Sequence, residues 1–350
     1  MEVPARKVRF TFPHGSFPAR MKTVTLPTTG LRVSPLCLGG VPFGHTLDAA
    51  ATFALLDRFV ELGGSFIDTA RVYSDWVPGE KSRSERILGD WLQARGNRDR
   101  IVISTKGGHP FIESLQVPRT SAAELRTDLE ASLRTLRVDA IDVYWLHRDD
   151  TSRPVEHFID VLNTFVREGK VRAFGASNWT AARLRAANTY AQATGQRSFA
   201  ANQPFWCLGC QKARPPAFSG YVKFDAEAWR FHRDTGLAVI PYTSQANGFF
   251  SKLARPPAQR PPDFAAHEFH VPANLAAGKI VLELAAAKNV PPSAIVLAYL
   301  WSRPYPVVPI IGSHTAAQLE DSFAACAVRL AASELRALEE ASESGLPVAD

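Results

Sequence analysis

The chain has 350 residues, 46% of them hydrophobic, and a formal net charge of +6, which is enough apolar material for one large core or two medium ones. The charge is spread along the chain, with no block of five or six like charges and no basic, aromatic-studded helix; this argues against a nucleic-acid partner and suits an anionic small ligand. No apolar run reaches the roughly 18 residues of a membrane span, Arg6, Lys7, Arg9 and Arg20 interrupt any leader-like segment, and four cysteines are too few for a disulfide framework, so a globular cytoplasmic protein is expected.

In chain order, residues 1–20 are expected to be a flexible extension and residues 21–350 a single domain. MKTVTLPTTGLRV (21–33) alternates on either side of a TTG turn and reads as a small β-hairpin. Eight short apolar runs follow: SPLCLGG (34–40), GSFID (64–68), RIVISTK (100–106), AIDVYWLH (140–147), VRAFGAS (171–177), FAANQ (199–203), LAVIPY (237–242) and VVPII (307–311). Between most of them lie segments with apolar residues three and four apart, such as AAATFALLDRFVELGG, SRSERILGDWLQARG, AAELRTDLEASLRTLRV and PVEHFIDVLNTFVREGK. Pro154 marks a helix start; Gly64 and Gly169 lie just past helix ends.

Strands alternating with helices imply parallel β-α units, and eight of them fit an α/β fold of the closed (β/α)8 barrel type, with the hairpin closing its floor. An open doubly wound sheet would carry G-x-G-x-x-G after its first strand, where this chain has GGVPFG. Residues 205–223 and 251–271 are rich in proline and aromatics and are expected to be long loops at the barrel mouth.

A barrel of this kind keeps its chemistry at the carboxyl ends of its strands. The stretch FIDTARVYSD (66–75) ends the second run in Asp68 and presents Tyr73 beyond it; the third run ends in Lys106 and the fourth in His147. Taken singly, Asp68 is most simply a turn cap, Lys106 a rim salt-bridge partner and His147 a structural histidine. At successive strand ends the set gains a logic. A phenol with a reference pKa of about 10 is a poor acid until an ammonium stabilises its phenolate, a buried lysine needs a counter-ion, and a histidine can orient a carbonyl or share the proton.

These residues, in the settings FIDTARVYSD, ISTKGG and VYWLHRDD, closely resemble the catalytic tetrad of the aldo-keto reductases, and the likeness runs from about residue 22 to residue 340. The resemblance implies NAD(P)H-dependent reduction of an aldehyde or ketone. GASNW (175–179) and ANQP (201–204) are similar to the family's nicotinamide-carboxamide elements, which implies Ser177, Asn178 and Gln203. IPYTSQANGFFSK (240–252) resembles the segment in which an aromatic, here Tyr242, stacks on the nicotinamide and Thr243, Gln245 and Gly248 lie along the pyrophosphate stretch. PIIGSHTAAQLEDSF (309–323) is similar to the adenosine-phosphate segment, implying Gly312, Ser313, His314, Gln318, Asp321 and Ser322. Many members carry Arg or Lys where this chain has His314, and Glu-Asn where it has Asp321-Ser322. A fixed cation for a 2′-phosphate is therefore missing at that spot; NADP is the first expectation and NAD stays open.

Phe43, Trp76, Phe111, Trp179 and Trp206 are candidates for the substrate mouth. With Arg148, Asp149 and Gln245 they would suit a sugar or polyhydroxylated carbonyl, and without them a hydrophobic aldehyde or ketone. Two competing readings are kept: a regulatory subunit like the potassium-channel β subunits of the same family, and a metal-dependent barrel hydrolase, which would need more His and carboxylate ligands than Asp68 and His147. CLGC (207–210) reads as two loop thiols, since no second pair or spaced histidine accompanies it. Oligomeric state is not legible in one sequence.

Overall fold

The alternating segment near the start folds as an antiparallel pair, β1 (Val24–Thr25) and β2 (Arg32–Val33), with Val24 opposite Val33, in a computed structural model that describes residues 22–215 and 220–347. The expectation for residues 1–20 falls outside the described residues, as do residues 216–219 of the first long loop.

Each of the eight apolar runs contains a strand: β3 (Cys37–Gly39), β4 (Phe66–Asp68), β5 (Val102–Gly107), β6 (Ile141–Leu146), β7 (Val171–Ser177), β8 (Ala201–Gln203), β9 (Ala238–Val239) and β10 (Ile310–Ile311). They pair in parallel in the order β10-β3-β4-β5-β6-β7-β8-β9. The ring closes where β9 meets the approach to β10: Val239 N donates to Pro306 O, Val308 N to Val239 O and Ile310 N to Pro241 O, each at 2.9 Å.

The helices between strands are α1 (Ala49–Glu61), α2 (Arg83–Arg95), α3 (Ala122–Leu136), α4 (Val155–Arg167), α5 (Ala181–Ala193) and α6 (Ala226–Thr235), followed by α7 (Phe249–Leu253), α8 (Pro272–Lys288), α9 (Pro292–Trp301), α10 (Ala316–Ala324) and α11 (Ala332–Ala341). Local chemistry starts them where orphan backbone N–H groups need an acceptor. Asp48 accepts from Ala51 N, and Ser121 and Glu124 form a reciprocal capping box on α3. On α4 the buried Phe158, Ile159, Leu162 and Phe165 fall on one face at three and four spacing.

The second long stretch, 251–271, is not the plain loop expected: α7 and two turns of 3-10 helix occupy it, with Phe264 stacked on Phe249 at 5.4 Å and 10°. Prolines end helices without preventing short ones. Among the described residues no single helix is long and apolar enough to cross a membrane, although one sharply bent pair, α8 and α9, passes by length and composition together.

Period-two alternation decides what lines the barrel. Phe66, Val143, Trp145, Ala201, Ala238, Ile240, Val308 and Ile310 form an inner cluster with Leu26 and Val33 of the hairpin. Ser34 and Ser65 exchange backbone-to-side-chain hydrogen bonds of 3.0 Å, which fixes the hairpin at the amino end of β4, so the floor is plugged. Trp145 lies so close to β7 that a Cβ on Gly175 would stand 2.2 Å from its ring and 2.8 Å from Ala201 O; only glycine fits there.

Candidate active site

The same alternation carries polar residues inward at the opposite end. On β4, Phe66 faces in, and so therefore does Asp68 two residues on. On β5, Ser104 and Lys106 share the inward face, while Thr105 points out and donates to Glu85 of α2 at 2.6 Å. On β6, Val143 and Trp145 lead to His147 just past the strand. The register aligns Asp68 with Ser104 and Lys106 with Trp145, so three strand ends deliver their side chains to one point.

There Lys106 Nζ donates to Asp68 Oδ2, to Thr69 O at 2.8 Å and to Tyr73 OH at 3.0 Å, which uses all three ammonium donors. Asp68 Oδ1 accepts from Ser104 Oγ at 2.5 Å and from Gln203 Nε2 at 3.2 Å. Asp68 and Lys106 are each 1% exposed, so this ion pair is desolvated, unlike the rim pair that the sequence alone suggests. Tyr73 and His147 are half-buried, with ring centroids 5.9 Å apart.

Charge follows from that burial. Desolvation opposes the Lys106 ammonium, but Asp68 and Tyr73 outweigh it and hold its pKa above the ordinary lysine value. Desolvation raises the Tyr73 phenol, and although Lys106 pulls the other way the net shift is upward. The expected lowering by lysine is therefore present as an influence and overridden by burial. His147 is pushed well below the usual histidine range by burial, then by His109, Lys106 and Arg148. At neutral pH these directions leave a protonated phenol beside a lysine ammonium and a neutral imidazole.

The loop bearing Tyr73 is tied down by its neighbours. Ser74 Oγ donates to Phe43 O at 2.8 Å, and Asp75, the second aspartate of FIDTARVYSD, accepts from Ser82 N at 2.6 Å.

Asn178 is the knot of the adjacent region. It sits at φ +63, donates to Ser177 Oγ and His147 O at 3.2 Å each, and accepts from Tyr242 OH at 2.7 Å and Val222 N at 3.2 Å. Ser177 Oγ donates to Gln203 O at 2.9 Å. The segment after Tyr242 holds Thr243, Ala246, Asn247 and Gly248 in the left-handed region, a backbone that turns sharply and repeatedly. Gln245 Nε2 donates to Ser322 Oγ at 3.0 Å, Ser322 Oγ to Gln318 O at 2.8 Å, and His314 N to Gln318 Oε1 at 2.6 Å. Ser313 Oγ is buried without a partner among the described residues, and nothing stands within 4 Å of where a Cβ on Gly312 would lie. Burial, with Glu320 nearby, raises the Asp321 carboxyl.

The five aromatic mouth candidates divide. Trp76 is 41% exposed and Phe111 58%, both on the rim, where Trp76 meets the rings of His45 and Tyr73 edge-on. The other three are corrected to core packing. Trp179 is wedged between Phe158 and Phe199 at 5.2 and 5.1 Å, Trp206 stacks on Phe224 at 4.3 Å, and Phe43 is fully buried. The positive φ of Asn178 turns the chain and sends Trp179 outward to the helices. Asp149 is paired with Arg183 at 2.8 Å. Cys207 and Cys210 are buried free thiols joined by a turn, and no cluster of three or more potential metal ligands occurs among the described residues.

One neighbour of the site went unread in the sequence. His109, in ISTKGGHP, packs against His147 with ring centroids 4.7 Å apart and the planes tilted by 58°. Its only signal was a histidine three residues past the strand-end lysine.

A barrel rim that brings Asp68, Tyr73, Lys106 and His147 together is the arrangement expected of a carbonyl-reducing oxidoreductase. Residues 35–343 match the Aldo/keto reductase family, and the chain belongs to it. It is 33% identical over 331 residues to norsolorinic acid reductase stcV of Emericella nidulans, covering 91% of this chain and 80% of that one. Aldo-keto reductase ausK of Aspergillus calidoustus is 32% identical over 332 residues, 89% of this chain and 80% of its own. Aryl-alcohol dehydrogenase [NADP(+)] of Phanerodontia chrysosporium is 36% identical over 197 residues, about half of either chain.

Proposed function

We propose that this protein reduces an aldehyde or ketone to an alcohol, or runs the reverse reaction, with NADP(H) and with NAD(H) as the alternative. The observation that carries the reading is the Asp68–Lys106–Tyr73 hydrogen-bonded chain ending beside His147. Tyr73 stays protonated because burial raises it, so it has a proton to give as a carbonyl oxygen gains charge. Lys106, held charged by Asp68, then stabilises the phenolate left behind through its 3.0 Å contact. Neutral His147 donates to the same oxygen and orients it.

A bound nicotinamide supplies the hydride. Ser177, Asn178, Gln203 and Tyr242 would hold its carboxamide and ring, Thr243, Gln245 and Gly248 its pyrophosphate stretch, and Gly312, Ser313, His314, Gln318, Asp321 and Ser322 the adenosine phosphate. Two observations fit such a guest: the orphaned, buried Ser313 hydroxyl and the left-handed run from Thr243 to Gly248, where successive backbone N–H groups can form an anion-binding concavity. The exposed Trp76, Phe111, Leu115 and Val117, together with relatives named for norsolorinic acid and aryl alcohols, favour an aromatic carbonyl over a sugar. Free thiols suit a reducing cytoplasm as the setting.

The test pairs two measurements. Titration with NADPH and NADH, followed by tryptophan quenching, is expected to give saturable binding that favours NADPH. Tyr73→Phe should keep that binding while turnover of an aromatic aldehyde falls about 10²- to 10⁴-fold. Unchanged turnover in the variant refutes the acid role; binding of neither nucleotide refutes the cofactor and the function, and binding without turnover of any carbonyl favours the regulatory alternative.

A further inference from the structure

The backbone around His147 is fixed on both sides: its N donates to Gly107 O at 2.9 Å and its O accepts from Asn178 Nδ2 at 3.2 Å. Its ring is not anchored in the same way. Nδ1 is buried and has no hydrogen-bond partner among the described residues. The torsion that turns an imidazole has broad minima, so packing must set the plane of this one. Two rings do so, Tyr73 at 5.9 Å and His109 at 4.7 Å.

His109 is itself well held. Its Nδ1 lies 2.6 Å from Pro110 O, and a carbonyl oxygen only accepts, so the proton belongs on Nδ1 and the lone pair on Nε2. Its own carbonyl accepts from Arg119 Nη1 at 3.2 Å. Arg119 is paired with Asp128 of α3 at 3.1 Å, and Asp128 Oδ2 accepts from Gly108 N at 3.0 Å. The Gly-Gly-His-Pro turn is thus pinned to the helix that leads into β6, the strand that delivers His147.

We propose that His109 is a positioning residue for His147, setting the plane of its imidazole by packing against it. The inference rests on the reading of His147 as the group that meets the substrate carbonyl. Electrostatics support the geometry. The groups facing His147 are Tyr73, Lys106, Arg148 and His109, and those facing His109 are His147, Arg148, Arg119 and Asp128. Burial is the largest influence on both rings; it takes His109 down to about 4, and His109 adds to the lowering of His147. A neutral imidazole at His109 at working pH leaves an acceptor, not a second cation, beside the donor.

The test separates packing from simple presence. In ¹⁵N-histidine-labelled protein, with the His147 signals assigned by His147→Gln, His109→Ala should move the His147 titration upward by about one pH unit, because the ring becomes wetter and loses a titrating neighbour. The same variant should lose roughly tenfold to hundredfold in kcat/KM for an aromatic aldehyde with nucleotide affinity unchanged. His109→Phe restores a packed ring without the titrating group and should recover most of that loss. An unmoved His147 titration in His109→Ala, or equal impairment of His109→Phe and His109→Ala, overturns the proposal. If the unsubstituted protein reduces no carbonyl, the functional reading fails, while the NMR comparison still decides whether His109 positions His147.

Discussion

Asp68→Asn tests the desolvated ion pair on which the site is built. In the unsubstituted protein Lys106 Nζ has three acceptors, Asp68, Thr69 O and Tyr73 OH, and Asp68 also receives Ser104 Oγ and Gln203 Nε2. An asparagine offers one acceptor oxygen and an NH₂ group, so at least one of the three donors now meets another donor. Removing one partner of a buried pair costs about 3–5 kcal/mol. The loss is capped, because Lys106 can give up its proton: neutralising a lysine of reference pKa about 10.4 at pH 7 costs about 4.6 kcal/mol. At a sensitivity of about 2 °C per kcal/mol for a large domain, Tm should fall by about 6 °C or more.

The sign with pH is a second handle on the same variant. In the unsubstituted protein the folded Lys106 pKa lies above its unfolded value, so the pair's contribution is fully present below the unfolded pKa and lost only as pH rises through the folded one. Without Asp68 the folded value drops below the unfolded one, folding releases a proton, and the deficit shrinks as pH rises towards about 10. Melting curves by circular dichroism at pH 7 and pH 9.5 read both effects. A Tm within about 1 °C of the unsubstituted protein, or a deficit that widens with pH, refutes a charged and desolvated Lys106.

Two further substitutions probe the scaffold and the rim. Gly175→Ala places a methyl 2.2 Å from the Trp145 ring and 2.8 Å from Ala201 O; over-packing of this kind should cost about 1–3 kcal/mol, seen as a lower urea midpoint with an altered tryptophan spectrum. Trp76→Ala removes an exposed ring that meets Tyr73 only edge-on, so KM for an aromatic aldehyde should rise several-fold with kcat within about twofold, a pattern of uniform binding loss in steady-state kinetics.

The strands and the meeting of Asp68, Lys106 and His147 were legible in the sequence because both depend on a period of two. A residue two places beyond a buried Phe66 or Trp145 must face the same way. What escaped depends on turns, which have no period. Trp179 follows the left-handed Asn178, and nothing in GASNW tells a reader that the next side chain leaves the mouth for the helices. His109 sits in a turn whose shape is dictated by Asp128 and Arg119, residues of a later segment. The proline-rich stretch after residue 251 carries no periodic signal, yet stacking of Phe264 on Phe249 accompanies short helical turns there. The upward direction of the Tyr73 phenol is not legible in the sequence, because desolvation is a property of the assembled site and not of any one residue.

Among the described residues, the hairpin plugs the amino end of the barrel. Leu26 and Val33 pack at the amino end against Phe66, Val143 and Trp145, while Tyr73 lies at the opposite end beside the exposed Trp76. On the proposed function, a nucleotide and a carbonyl compound that both reach Tyr73 would have to share the mouth at the open end of the barrel.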